Sequence, residues 1–208
     1  MRHGTVQIRK HELAIKLQQI KPHPAPQVEL EQYTIPADLA ADILFAACYT
    51  YGDIEQKIVG DLGCGTGRLG IGASLLGAKY VVGIDLDRRS LAVALRNSKA
   101  SRLETDWILG DIENLRGAFD TVLMNPPFGT KQPHADVRFL ETGMRLGSVI
   151  YSIHKSTTRE FVQEWLRRHD MHPEIIIATQ LEIPHQFRFH RKKKANVDVD
   201  VIRSLPNH

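Results

Sequence analysis

Asn125-Pro126-Pro127-Phe128 combines residue types that could do chemistry on an aromatic amine. Asparagine supplies a side-chain oxygen, and the following proline supplies a carbonyl with no competing N–H. Two consecutive prolines stiffen the backbone that holds both acceptors. Phe128 adds a face on which a planar base could stack, worth about 1–3 kcal/mol. An exocyclic amine on a ring is a poor nucleophile because its lone pair is delocalised. Two acceptors can take its two N–H bonds and aim that lone pair at an electrophile. If the electrophile is already activated, no general base is required and positioning supplies most of the rate gain. A plain turn is the competing reading of the same four residues.

A second constellation lies upstream. Asp61-Leu62-Gly63-Cys64-Gly65-Thr66-Gly67 puts three alternate glycines where a strand turns into a helix. Such a turn brings backbone close to a ligand and offers free N–H groups at the helix start. Gly65-Thr66-Gly67-Arg68-Leu69-Gly70 is also a literal dinucleotide fingerprint. Asp85 closes the next apolar run about 20 residues on, where a carboxylate can accept both hydroxyls of a ribose. NAD and S-adenosylmethionine both carry that ribose. Asp61 favours the second, because a carboxylate suits an ammonium and a sulfonium and repels a pyrophosphate. Asp111-Ile112 follows a third run, with Asp111 as acceptor for an adenine amino group and Ile112 packing on the ring. An Asx turn or helix cap is the other reading of Asp111.

The elements that must position these residues follow from periodicity. Residues 6–20 read as an amphipathic helix, stopped by Lys21-Pro22-His23-Pro24-Ala25-Pro26. Pro36–Tyr51 is a second helix, and the glycine cluster at 63–72 opens a third. Strands are expected at Ile58–Leu62, Tyr80–Asp85, Trp107–Leu109, Phe119–Met124, Val149–Ile153, Glu174–Ile183 and Val197–Leu205. Helices at Arg88–Leu103, His134–Arg145 and Thr157–His169 lie between them. Alternation of strand and helix implies an α/β fold on a mostly parallel sheet with helices on both faces. The last two strands are joined by a loop alone, so the final strand should pair antiparallel. That is the seven-stranded arrangement of Rossmann-like class I methyltransferases. Asp61 through Gly67, Asp85, Asp111 and Asn125 then each follow a successive strand, at the sheet edge where such folds bind ligands.

The chain has 208 residues, with 27 Lys+Arg against 24 Asp+Glu, a net charge of +3. It is 42% hydrophobic and 25% charged, which excludes a disordered chain, a collagenous chain and a coiled coil. One domain over 1–208 is expected, with residues 1–26 as helix and connector. The longest apolar runs, such as Ile43–Tyr49, are too short for a membrane span. Met1–Lys10 lacks the apolar stretch of a secretory signal. Cys48 and Cys64 lie in unrelated contexts, which argues against a disulfide framework and a cysteine-based zinc site and favours a reducing compartment. The histidines show no metal spacing, so no metal is expected.

With these motifs in hand, the chain resembles the methyltransferase-like protein 5 family. The likeness is carried by Leu30-Glu31-Gln32-Tyr33, Asp61-Leu62-Gly63-Cys64-Gly65, Met124–Lys131, His154-Lys155-Ser156-Thr157-Thr158-Arg159-Glu160 and Phe189-His190-Arg191-Lys192-Lys193. It covers nearly the whole chain. The resemblance implies S-adenosylmethionine-dependent N6-methylation of an adenosine in small-subunit (18S) ribosomal RNA. It implies a small zinc-containing activator subunit as heterodimer partner, and a location in nucleus (nucleolus) and cytoplasm. It implies that Gln32, Ile35, Gly63, Thr66, Asp85, Asp111 and Ile112 line the cofactor pocket. Asn125, Pro126, Pro127 and Phe128 would hold the adenine. Ile35 stands where the family often has Thr, Thr66 where a second Cys is common, and Arg68 where an apolar residue is common.

Three further segments bear on partners. Residues 185–194 pack five Lys/Arg, two His and two Phe into ten positions. Aromatics interleaved with cations suit RNA phosphates and unstacked bases, although a solvated loop also carries such charge. His154-Lys155 either lines the substrate cleft or belongs to a loop approaching a helix. Trp107–Leu109 is a short apolar edge strand that a partner strand could cover. Rival functions are a methyltransferase acting on guanine N2 or on a protein glutamine amide, an NAD-dependent oxidoreductase, and a non-enzymatic RNA-binding scaffold. The oxidoreductase is disfavoured by Asp61 and by the lack of a Tyr-x-x-x-Lys pattern.

Overall fold

The computed structural model describes residues 8–26, 34–128, 135–184 and 194–207. Seven strands form one sheet: β1 (Ile58–Leu62), β2 (Tyr80–Asp85), β3 (Asp106–Leu109), β4 (Phe119–Met124), β5 (Gly147–Lys155), β6 (Met171–Pro184) and β7 (Lys194–Pro206). Their spatial order is β3-β2-β1-β4-β5-β7-β6. Every pairing is parallel except those of β7 with β5 and with β6. Among the described residues the α-helices are α1 (Lys10–Gln18), α2 (Ala37–Phe45), α3 (Arg68–Leu75), α4 (Arg88–Ala100), α5 (Ala135–Leu146) and α6 (Arg159–Arg168).

Strand alternation splits the interior into two cores. Val59, Val81, Leu123, Tyr151 and Val199 face one way, into a cluster with Leu13, Leu17, Leu44 and Ile71 of α1, α2 and α3. Leu62, Ile84, Val122, Met124 and Ile202 face the other way, against Leu140, Val162 and Leu166 of α5 and α6. The central strands are thus covered on both faces, which explains their largely apolar character.

Departures from the expected boundaries have local causes. The second helix keeps α-geometry only to Phe45, then widens into one π-turn at Ala46–Thr50. That turn leads to Asp53, which accepts hydrogen bonds from the Tyr151 hydroxyl (2.6 Å) and from Arg203 Nε (2.9 Å). Helix α4 stops at Ala100, three residues early, because Arg102 takes a left-handed conformation (φ 55°). The N–H groups of Leu103 and Arg102 then close onto the carbonyls of Ser98 and Lys99, a Schellman ending. Strands β5 to β7 run longer than their apolar stretches, since antiparallel pairing continues to Lys155 and Pro206. His154 and Lys155 therefore belong to a strand and not to a loop.

Candidate active site

The carboxyl ends of β1, β2 and β4 are adjacent, with Leu62 in register with both Ile84 and Met124. The glycine loop leaves β1 at Gly63. The Cys64 N–H donates to Ile84 O (3.0 Å), and the Gly67 N–H donates to Cys64 O (2.8 Å). Each glycine has its own reason. A Cβ on Gly63 would meet the Phe139 ring at 2.9 Å, and one on Gly67 would meet the Trp107 ring at 2.6 Å. Gly65 differs. Its φ is 54°, and among the described residues nothing lies within 4 Å of where a Cβ would sit, so the loop presents an open backbone surface to them there.

Asp85 is held by that loop. The Gly65 N–H donates to Asp85 Oδ2 and the Asp87 N–H to Oδ1, each at 2.8 Å. A carboxylate oxygen accepts about two hydrogen bonds, so both oxygens keep capacity for a diol. Burial raises the Asp85 carboxyl above its usual range, while the Asp87 and Gly65 amides pull it back. Asp87 in turn caps α4, accepting from the N–H groups of Arg89 (2.9 Å) and Ser90 (3.2 Å). Its Oδ2 lies 2.9 Å from His23 Nε2 of the connector, both side chains nearly buried.

Asp61 is 2% exposed and accepts from the Gly70 N–H in α3 at 2.8 Å. Burial pushes its carboxyl up to about 7. A folded-state value above the ordinary 3.8 means protonation favours folding. That contribution is complete below about pH 4 and is lost as pH rises through about 7. Asp61→Asn, which does not titrate, should match the parent in melting temperature near pH 4. It should then exceed the parent by several degrees at pH 8, since chains of this size shift about 2–4 °C per kcal/mol. Melting curves across that range check it; a difference independent of pH would place the titration elsewhere.

Thr66 is buried, and its carbonyl accepts from Asn97 Nδ2 (3.0 Å). Asp111 begins the short 3₁₀ turn Ile112–Asn114, accepting from the Glu113 N–H (3.1 Å), with Arg138 at 3.5 Å. It acts as a cap and remains partly exposed, while Ile112 is buried in the second core. Ile35 is buried in the first core; what it presents to a polar neighbour is its carbonyl, which accepts from Arg68. Gln32 lies outside the described residues.

The β4 end carries Asn125, partly buried, then buried Pro126 and partly buried Pro127 and Phe128. Lys155 Nζ sits 5.4 Å from the centre of the Phe128 ring. Lys155 is thus the member of the His154-Lys155 pair that reaches the site. His154 is 2% exposed on the α5 side, and burial lowers its imidazole to about 4. Residues 185–193 of the basic segment lie outside the described residues. Among the described residues no three His, Cys, Asp or Glu side chains gather as a metal-holding group.

Two ties escape sequence reasoning. Arg68 donates to the carbonyls of both Ile35 and Ile20, pinning the ends of the connector to α3. His23 reaches Asp87 from 64 positions away. Only the unusual arginine after Gly67 hints at the first; no local signal hints at the second. Trp107 is also placed differently from the expectation of an exposed apolar edge. Its ring lies over Gly83 and Gly67, and its Nε1–H donates to Ser98 Oγ (3.1 Å). Bare glycines at both positions leave room for it.

These residues fit S-adenosylmethionine. Gly65 offers open backbone, Asp85 a carboxylate fixed by two amides where a ribose diol could bond, and Ile112 an apolar side chain that a purine could meet. Comparison with known proteins agrees. A family model described as methyltransferase small domain matches residues 36–145. The zebrafish (Danio rerio) rRNA N(6)-adenosine-methyltransferase METTL5 is 37% identical over 94% of this chain and 98% of its own. An uncharacterised protein of Methanocaldococcus jannaschii is 38% identical over 94% of both chains. A Pyrococcus horikoshii crystal structure, assigned as an RNA methyltransferase, superposes with a TM-score of 0.88 at 40% identity. It covers 97% of this chain and 99% of that one. With its glycine loop, the Asp85 carboxylate and the Asn-Pro-Pro-Phe tetrapeptide all at one sheet edge, the chain belongs to the methyltransferase small domain family and, within it, to the S-adenosylmethionine-dependent enzymes of the METTL5 type.

Proposed function

We propose that this protein methylates the N6 amino group of an adenosine in ribosomal RNA, the small-subunit RNA by its family likeness. The observation that carries the reading is Asn125-Pro126-Pro127-Phe128 at the end of β4, one strand from the glycine loop. Bound S-adenosylmethionine supplies a methyl group on a sulfonium, an electrophile needing no further activation. The chain's own work is positional. Asn125 Oδ1 and the Pro126 carbonyl accept the two amino hydrogens, Phe128 stacks the base, and Lys155 steadies that ring from 5.4 Å. The relatives named as rRNA adenosine methyltransferases support adenine over guanine N2 or a glutamine amide. The test is incubation with ribosomal RNA and labelled S-adenosylmethionine, then digestion to nucleosides. Label in N6-methyladenosine is expected; label in guanosine or in protein would overturn the reading.

The same likeness supports a zinc-containing activator subunit as partner, and the edge strand β3 is where it would add a strand. Ile108 and Leu109 are 38% and 46% exposed there, with Leu86 and Tyr80 exposed nearby. Edge strands with exposed apolar residues invite strand addition. Ile108→Lys should lose the activator in a co-expression pull-down while leaving the melting temperature of the chain alone within about 2 °C, as for other exposed substitutions. Full retention of the activator would put the interface elsewhere.

A further inference from the structure

We propose that the groove between α1, the proline connector and the C-terminal half of α4 docks the phosphodiester backbone of the RNA substrate. The proposal rests on the ribosomal RNA reading and adds a contact surface separate from Asn125.

The groove encloses about 510 Å³. Lys16, Lys21, Arg96 and Arg102 line it, and among the described residues no carboxylate does. All four cations are exposed, and none pairs with an acidic side chain among the described residues. Four unneutralised cations on one concave surface repel each other, and a polyanion laid along it removes that repulsion. Elsewhere the chain neutralises several of its cations, as Arg138 with Glu113 or Arg159 with Asp200.

The backbone that carries two of the cations is fixed. Asn97, buried in the groove wall, donates from Nδ2 to Lys21 O (3.1 Å) and accepts at Oδ1 from the Lys21 N–H (3.1 Å). The same amide donates to Thr66 O, so the groove is braced directly against the glycine loop. Arg102 occupies the left-handed position that ends α4, where glycine would be unstrained. A long cation kept there stands at the groove's mouth. Proline and isoleucine from the connector (Ile20, Pro22, Pro24) supply an apolar wall against which ribose can pack.

The geometry suits one RNA bridging both surfaces. Helix α4 follows β2, which lies two strands from β4, about 10 Å across the sheet. Helix α4 spans about 20 Å from that edge to its C-terminal end. A folded RNA stem extends over such a distance while presenting one nucleotide at Asn125.

The test compares the parent with K16A/K21A/R96A/R102A and with a control losing four surface cations elsewhere, K57A/K79A/R167A/R168A. RNA binding is measured against salt, alongside cofactor titration and melting curves. For the groove variant, RNA dissociation constants should rise at least tenfold. The log–log salt slope should shrink by about 3, at about 0.7 per lost phosphate contact. KM for RNA should rise with kcat unchanged, and cofactor affinity should not move. The pair variant K16A/R102A, whose side chains make no hydrogen bond or ion pair among the described residues, should show half the slope change. Unchanged slope in the groove variants, or equal loss in the control, would overturn the proposal. If the parent methylates RNA adenine and the groove variant binds as the parent does, only the groove reading falls. If the parent places no label in RNA, the functional reading falls, and the binding slopes still judge the groove.

Discussion

Asn125→Ala should lower turnover by about 10²–10³-fold while leaving cofactor affinity within a few-fold. The scale is that of removing one preorganised hydrogen-bonding group at a reacting centre. Asn125 follows Met124 at the end of β4, and buried Pro126 fixes the carbonyl that would take the second amino hydrogen. Alanine removes one acceptor and leaves the other. The amine then rotates, and its lone pair spends less time aimed at the methyl carbon. Nothing in this scheme transfers a proton from Asn125 before methyl transfer, so the pH profile of the residual activity should keep its shape. Asn125→Asp retains an acceptor oxygen and should fall between parent and alanine. Single-turnover rates with saturating RNA, beside calorimetric titration of S-adenosylmethionine, separate the effect on chemistry from that on binding. Residual turnover within tenfold of the parent would sink the positioning mechanism. A matching loss of cofactor affinity would instead move Asn125 into the cofactor pocket.

The parts of this site that were legible in the sequence share a physical feature. Strands β1, β2 and β4 have the expected ends to the residue, because each is a mostly apolar, mostly buried run that closes on Asp, Gly or Asn. A doubly covered strand shows as an unbroken run bounded by turn formers, and ligand-binding residues sit just past it. What was not legible depends on contacts between distant segments. Arg68 holds Ile20 and Ile35, and His23 meets Asp87, through geometry no local pattern encodes. Trp107 shows the same limit. Its strand was recognisable, but its ring turns inward because Gly67 and Gly83 leave space, a fact about two other elements. Arg102 is the backbone counterpart, since a left-handed arginine has no signature that distinguishes it from a continuing helix. His154 reads as a polar residue near a site, yet pairing with Asp200 across β7 carries it into the interior.

Asp85→Ala should weaken S-adenosylmethionine by about 10²–10⁴-fold, from two hydrogen bonds to a charged group at about 1.5–3 kcal/mol each. The structure adds a second consequence. The two carboxylate oxygens that would meet the ribose also accept the N–H groups of Gly65 and Asp87. Alanine therefore removes the side-chain tie between the glycine loop and β2, leaving the Cys64 N–H on Ile84 O, and deprives both amides of their acceptor. The empty protein should melt a few degrees lower, at about 2–4 °C per kcal/mol. Asp85→Asn separates the two roles. Its oxygen can keep one loop amide, while its NH₂ cannot accept from the other or from a ribose hydroxyl. It should recover part of the melting temperature and little of the affinity. The Gly65 backbone offers a further control. Because no atom of the described residues lies within 4 Å of its missing Cβ, Gly65→Ala strains a backbone at φ 54° without clashing with them. It should lose cofactor affinity, because the new methyl group projects into the open surface where Asp85 would hold the ribose. Affinity unchanged in Asp85→Ala would remove this carboxylate from the site. Affinity lost in Asp85→Ala but fully kept in Gly65→Ala would mean that the ribose lies on the Asp87 side of the carboxylate, away from the loop.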